Sequence, residues 1–317
     1  MKENRKKRVY DNIINMINDP LNPTPMVKLD NRFNPHEGFE LYLKLERVNP
    51  MGSIKDRTAK YMLENLKIED GQTIVEPTSG NTGLGIAGIA NAMNVPVKFI
   101  VPNGAPEEKK LLLRLTGAEV EEEDDGLCPI SPDEGVRGTA KFYVEGPDGH
   151  KYVSPNQYEN PLNVEVHIKY TGPEIWDQTD GEINYFFAGF GTTGTITGVG
   201  TFLKKMNPHI KIIGVEPKDV SHKLAGMKRV SELKGSYVPT ILDMKVIDDI
   251  IQINNQDAYD TAFKVARKTG TIVGPTTGAI LAAALRYGKG KKGLGVAISP
   301  DDGFKYTSYF REFLENT

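Results

Sequence analysis

The chain has 317 residues, 38% of them hydrophobic and 26% charged, a balance that supports a real core and excludes wholesale disorder. Its net charge of −3 excludes a global positive field that would recruit nucleic acid or an acidic membrane. A single cysteine, Cys128, excludes an intrachain disulfide framework. The five histidines (His36, His150, His167, His209 and His222) are too scattered for a metal site.

The chain opens on the basic run Met1 to Arg8, but no apolar core follows it, so it does not read as a signal peptide. No apolar run approaches a membrane span, and a soluble cytoplasmic protein is expected. Leu41 to Leu45 alternates as a strand, and a turn follows at Val48 to Ser53. Apolar positions from Ile54 to Lys67 recur near helical spacing. Thr73 to Glu76 reads as a short strand, followed by the polar loop 77–83 and a small-residue helix from Leu84 to Met93. Val97 to Val101 is a buried strand, Glu107 to Thr116 a helix stopped by Gly117, and Ala118 to Val120 the next strand. The acidic run Glu121 to Asp125 and the stretch up to His150 read as a solvated excursion.

Strand, Gly-rich turn and helix recur from Tyr185 to Leu203, with a further strand at Lys211 to Val215. The stretch Val220 to Thr240 reads as a long loop. Helices are expected over Ala258 to Lys268 and Ala279 to Arg286, and a last strand over Gly295 to Ser299. Repeated strand–helix units predict an α/β fold of mainly parallel twisted sheets flanked by helices.

Ligands of open parallel sheets bind beyond the carboxyl ends of strands, so the turns there carry the chemistry. Gly189-Phe190-Gly191-Thr192-Thr193-Gly194-Thr195 lets backbone approach a phosphate at a helix N-terminus; alone, it reads equally as a tight structural turn. It lacks the Walker ending and the downstream acid of a dinucleotide site. Thr78-Ser79-Gly80-Asn81-Thr82-Gly83 has the composition of an anion-binding nest. Lys55 stands in a helix's first turn, against the macrodipole; by itself it also fits a surface lysine paired with Asp56 or Glu46. Pro275-Thr276-Thr277-Gly278 is locally an ordinary helix start.

Taken together, these segments resemble the cysteine synthase and cystathionine β-synthase family, the second fold type of pyridoxal-phosphate enzymes. The likeness is carried by Asn22 to Leu29, Lys44 to Arg57, Glu76 to Gly83, Asn156 to Pro161 and Thr171 to Ile175, in that order. It implies two lobes: residues 1–155, carrying Lys55 and the substrate-carboxylate loop, and residues 156–317, carrying the cofactor-phosphate loop, with 25–45 able to cross between them. It implies pyridoxal 5'-phosphate as cofactor, covalently held by Lys55. Asn81 would meet its ring hydroxyl, Gly191, Thr192, Thr193, Gly194 and Thr195 its phosphate, and Thr276 its ring nitrogen. Thr78, Ser79, Gly80, Thr82 and Gln157 would bind the substrate carboxylate. A homodimer acting on small molecules is implied as well.

Two positions depart from the family pattern. Thr193 stands where the phosphate loop usually has glycine, a costly choice if that residue needs positive φ. Thr276 stands where serine is usual and keeps the hydroxyl. The implied reaction is β-replacement through an aminoacrylate, making L-cysteine from an O-activated serine and sulfide. The loop around Gly226 carries the pair Lys228-Arg229, and guanidinium forks onto phosphate oxygens, so O-phosphoserine is favoured over O-acetylserine. A solvated basic loop is the alternative for that pair. Serine with homocysteine, an amine nucleophile, and a non-catalytic cofactor- or amino-acid-binding protein are the other readings.

Overall fold

The structure is a computed structural model and describes residues 9–124, 133–219 and 221–315. Met1 to Arg8, Asp125, Cys128 and Val220 lie outside the described residues. In chain order the strands and helices are β1 (Met26–Leu29), β2 (Phe39–Leu45), α1 (Lys55–Glu64), β3 (Thr73–Pro77), α2 (Asn81–Ala92), β4 (Val97–Pro102), α3 (Glu107–Leu115) and β5 (Glu119–Glu123). There follow α4 (Gly135–Glu145), β6 (Tyr152–Val153), α5 (Leu162–Val166), α6 (Gly172–Gln178), β7 (Ile183–Gly189), α7 (Gly194–Met206) and β8 (Lys211–Pro217). The last are β9 (Asp249–Ile253), α8 (Asn255–Thr269), α9 (Pro275–Gly288), β10 (Gly293–Ser299) and α10 (Thr307–Glu315).

The strands form two sheets. One has the order β1-β2-β10-β7-β8-β9, parallel except for the β1–β2 pair; the other is parallel with the order β5-β4-β3-β6. The central strands of the larger sheet are apolar along their length because helices cover both faces. Successive residues divide between the two sides. Phe187 and Ile213 join the core against α8 and α9, whereas Phe186 and Ile212 join the core that holds Ile196, Val199 and Leu203 of α7. In the smaller sheet Ile74 and Phe99 pack with Ala59, Leu84 and Leu113, and Val75 and Ile100 pack with Val136 and Ala140 of α4.

Several boundaries differ from the sequence reading. Glu121 to Glu123 of the acidic run belong to the edge strand β5 rather than to a solvated excursion. Lys98 takes Glu119 and Glu121, Lys110 and Arg114 take Glu122, and hydroxyls of Tyr143 and Thr139 take Glu121 and Glu123. Neutralised in this way, the acids tolerate pairing with β4, and part of the expected excursion is the helix α4. The stretch after β8 is irregular, yet it is tucked in: Leu224, Met227, Lys228 and Val230 are buried. Helices α2 and α9 begin at Asn81 and Pro275, three and four residues earlier than their apolar periodicity suggests. Their polar first turns therefore belong to the helices.

Candidate active site

The carboxyl ends of β2, β3, β7 and β10 deliver their loops to one cavity. Lys55, Ser79, Asn81, Thr82 and Gln157 line it, as do Gly191, Thr192, Thr193, Thr195, Gly226, Lys228 and Thr276. Thr78, Gly80, Gly194 and Arg229 do not.

Lys55 is set by its neighbours in sequence and by β10. The N–H of Ile54 donates to Pro300 O at 2.8 Å, the N–H of Lys55 donates to Ser53 Oγ at 3.2 Å, and Ser53 bridges Asp301. The Lys55 amine donates to Thr192 Oγ1 at 3.1 Å. Neither acid that could have held it at the surface does so: Glu46 is taken by Arg57 at 2.7 Å, and Asp56 receives the N–H of Met51 at 2.6 Å. Lys55 is partly exposed at the cavity wall, yet enough protein surrounds its amine that desolvation lowers it to about 8.

The loop after β3 is braced from within. Thr78 Oγ1 accepts the N–H groups of Gly80 and Gly83, at 3.0 and 3.1 Å, so this hydroxyl shapes the turn. Gly80 has φ +132°, and a Cβ there would lie 2.4 Å from Lys109 Cδ. Thr82 Oγ1 donates to Gln157 Oε1 at 2.6 Å, and Gln157 Nε2 donates to Pro77 O at 2.9 Å. Glu76 secures the Gln157 segment by accepting the N–H groups of Asn156 and Gln157 and the hydroxyl of Ser154.

The loop after β7 turns on Thr193, whose φ of +74° is rare for a β-branched residue. The cost foreseen from sequence is therefore present. The loop also needs its glycines. A Cβ on Gly191 would lie 2.8 Å from Gly226 O, and one on Gly194 would lie 2.4 Å from Asn163 Oδ1. Asn163 Nδ2 donates to Thr192 Oγ1 at 3.0 Å, and His167 Nε2 lies 3.2 Å from Thr195 Oγ1. Burial first, then the charges of Lys55 and Arg57, push His167 down to about 3, which keeps it neutral.

The basic pair splits. Lys228 is buried at the cavity, its amine 5.1 Å from the centre of the Tyr158 ring, and its N–H donates to Phe190 O at 2.7 Å. Arg229 turns away and pairs with Glu232 at 2.6 Å.

Sequence reasoning missed Lys109, Asn163, His167, Asp301 and Tyr306. Asn81 Nδ2 donates to Asp301 Oδ2 at 2.6 Å, as does Tyr306 Oη at 2.5 Å, and Lys109 Nζ donates to Tyr306 Oη at 2.6 Å. The likeness at Thr171 to Ile175 pointed near His167, but nothing local marked the others.

Four buried side-chain polar atoms lack a hydrogen-bond partner among the described residues: Asn81 Oδ1, Thr193 Oγ1, Asp301 Oδ1 and Arg229 Nε. The first three belong to residues lining this cavity. Orphaned polar atoms are expensive, so their occurrence in three residues of one cavity fits a ligand rich in polar groups. A hydroxylated ring near Asn81 and a phosphate at the first turn of α7, beside an amine able to bond covalently, match that demand. Among the described residues no helix is long and apolar enough to cross a membrane, and no group of three or more His, Cys, Asp or Glu is placed to hold a metal.

Such a site, between parallel sheets and beside a shielded lysine, is that of a pyridoxal-phosphate enzyme, and comparison with known proteins agrees. The family model for pyridoxal-phosphate dependent enzymes matches residues 17–298. A cysteine synthase of Staphylococcus aureus is 38% identical over 312 residues, covering 95% of this chain and 97% of its own. A solved cysteine synthase of Entamoeba histolytica superposes with a TM-score of 0.83 at 30% identity, covering 97% of this chain and 92% of its own. A hydrogen sulfide-producing enzyme of Fusobacterium nucleatum superposes with a TM-score of 0.82 at 32% identity, covering 94% and 100%. The chain belongs to the cysteine synthase family of pyridoxal-phosphate-dependent enzymes, with their second fold type.

Proposed function

We propose that this enzyme makes L-cysteine by β-replacement, exchanging the O-linked leaving group of an activated serine for sulfide. The observation that carries the reading is the Lys55 amine, which shares one cavity with a small-polar loop at the start of α2 and a Gly/Thr loop at the start of α7. Lys55 would hold the cofactor covalently, Asn81 its ring hydroxyl, Thr276 its ring nitrogen, and Gly191 to Thr195 its phosphate. The bound cofactor supplies an electron sink that makes loss of a β-substituent feasible.

The protein's own groups do the rest. Thr192 Oγ1 accepts from both Lys55 and Asn163, which leaves its O–H to donate toward a ligand. Released once the substrate's amine takes its place on the cofactor, Lys55 Nζ, with its amine near 8, would be neutral in part at physiological pH and able to take the proton from the substrate's Cα. Ser79 and the first N–H groups of α2, that of Thr82 among them, would receive the substrate carboxylate, while the Thr82 hydroxyl donates to Gln157. Thr78, Gly80 and Gln157 would shape that loop.

We further propose O-phosphoserine as the favoured ester, read by Lys228 rather than Arg229. With Lys55 assigned to the cofactor and Lys109 bonded to Tyr306 beside Asp301, Lys228 is the further lining lysine, and a cation there favours a dianionic leaving group. We place the lobe boundary near residue 155, with the β1–β2 hairpin serving the second lobe, and expect a cytoplasmic homodimer.

Turnover of both serine esters with sulfide, homocysteine and amines, followed by mass spectrometry, tests the reaction. K228M should lower kcat/KM for O-phosphoserine about 10-fold or more and leave O-acetylserine nearly unaffected. R229A should change neither by more than a few-fold. Equal losses of both esters in K228M would remove the phosphate-reading role. No product with sulfide would remove the synthase reading.

A further inference from the structure

Behind Asn81 runs a chain of side chains drawn from separate parts of the fold. Lys109 stands in the first turn of α3, Asp301 two residues beyond β10, Tyr306 just before α10, and Asn81 at the start of α2. Lys109, Asp301 and Tyr306 are all but fully buried. Their hydrogen bonds are short and form one line: Lys109 to Tyr306 at 2.6 Å, Tyr306 to Asp301 Oδ2 at 2.5 Å, and Asn81 Nδ2 to that same oxygen at 2.6 Å.

The direction of each bond follows from what each group can give. A lysine ammonium only donates, so the Tyr306 oxygen accepts from it. The single O–H of Tyr306 is then left for Asp301. Asp301 Oδ2 accepts twice, so Asn81 must offer it the NH2 end of its amide. Asn81 Oδ1 is thereby left as the end not held by Asp301, and it is buried without a hydrogen-bond partner among the described residues. The orientation of this amide, otherwise ambiguous, is set by the acceptor it meets, and Tyr306 and Lys109 hold that acceptor in place.

The chain is held in register by its neighbours. The Glu108 carboxylate accepts the Thr307 hydroxyl at 2.6 Å, the N–H of Ser308 at 2.6 Å and the Ser308 hydroxyl at 2.9 Å. Consecutive residues of α3 thus grip consecutive residues 306–308. The stem of Lys109 also lies against Gly80, so the same lysine touches the loop that leads into Asn81.

We propose that Asp301, secured by Tyr306 and Lys109, is a positioning residue that fixes how the Asn81 amide meets the bound cofactor. This rests on the cofactor reading above. It goes beyond a simple clasp between segments, because a clasp would affect only stability.

The test uses the purified holoenzyme and its variants Y306F, D301N, K109M and K109R. The absorbance spectrum of the bound cofactor, the cofactor dissociation constant and the melting temperature are measured for each. Y306F keeps the ring and removes one O–H. It should shift the cofactor band and raise the dissociation constant about 10-fold, as expected for losing a hydrogen bond to a charged group. D301N should do the same or more. K109M should follow Y306F, and K109R, which keeps a donor, should hold the parent spectrum. A parent-like spectrum and affinity in both Y306F and D301N, with only the melting temperature lowered, would overturn the positioning role alone. Absence of any cofactor band in the unsubstituted protein would overturn this role together with the cofactor reading.

Discussion

The amine of Lys55 and the hydroxyl of Thr192 meet at 3.1 Å, joining the first turn of α1 to the loop ahead of α7. The two residues are 137 positions apart, and Thr192 is itself pinned by Asn163. The proposed covalent anchor and the proposed phosphate loop are thus held at fixed separation before any ligand arrives, which lowers the entropic cost of binding.

K55A should lower turnover by roughly 100- to 10,000-fold, the range lost with a general base. The same lysine predicts a pH effect on the cofactor-free protein. Its folded value, about 8, lies below the unfolded 10.5. Between those values the unfolded chain binds more protons, so stability rises with pH across that window. Below about 8 the charged amine opposes folding in full. Cofactor-free K55M should therefore exceed the unsubstituted protein at pH 7 by about 3 kcal/mol, a gap that closes toward pH 10.5. Urea unfolding at several pH values reads this directly, and a pH-independent gap would contradict it.

Thr193 carries a left-handed backbone at a site where glycine would be unstrained. T193G should stabilise the cofactor-free protein by about 1 kcal/mol, because strain of about 1–3 kcal/mol is partly offset by the added freedom of the unfolded chain. T193V keeps the strain and the shape but loses the hydroxyl. It should weaken cofactor binding about 5- to 10-fold, as measured by titration, if the orphaned Oγ1 serves the ligand.

Gly194 is enclosed by Asn163, whose side-chain and main-chain oxygens would lie 2.4 and 2.6 Å from an added Cβ. G194A must displace Asn163 and with it the brace on Thr192. Cofactor affinity should fall about 10-fold or more while the fold survives. Fluorescence titration with the cofactor and a circular dichroism melt separate the two effects.

Arg57 lies in a buried ionic cluster with Glu46 and Glu174, each at 2.7 Å, and Lys44 joins it through Glu174 at 2.7 Å. Burial works to raise Glu46, but the Arg57 and Lys44 charges prevail and hold it at about 2. R57M leaves two carboxylates without their principal cation and should cost about 3–5 kcal/mol in denaturant unfolding. E46Q should cost less, since the amide keeps much of the hydrogen bonding.

Much of this site was legible because it resides in contiguous loops. Residues 78–83 and 189–195 announce themselves by unbroken runs of Gly, Ser, Thr and Asn, and their order along the chain carried Lys55 with them. Lys109 was illegible for a physical reason. It sits in an amphipathic helix beside Glu107, Glu108 and Lys110, where a charge normally faces water. Only the approach of Tyr306, 197 residues later, turns it inward. The acidic strand misled in the opposite way: its cations come from β4 and α3, so a charge run looked solvated until its partners were placed beside it. Arg229 looked like a phosphate reader because the identities of a basic pair give no direction, and only the fold sends one arm into the cavity and the other to Glu232.

The pairing of β2 with β10 sets the order in which the molecule can be finished. Apart from β1, the pairing partners of residues 39–45 among the described residues are 293–299, so the early hairpin must wait for nearly all the rest of the chain before it joins the sheet. The smaller sheet, complete by residue 153, has no such delay. On the ribosome the loop at 77–83 can therefore take shape around its own sheet well before Ser53 and Ile54, which lead into Lys55, are locked against Asp301 and Pro300. A nascent chain stalled short of residue 293 should protect 73–124 and 133–153 from protease and leave 26–45 open to cleavage.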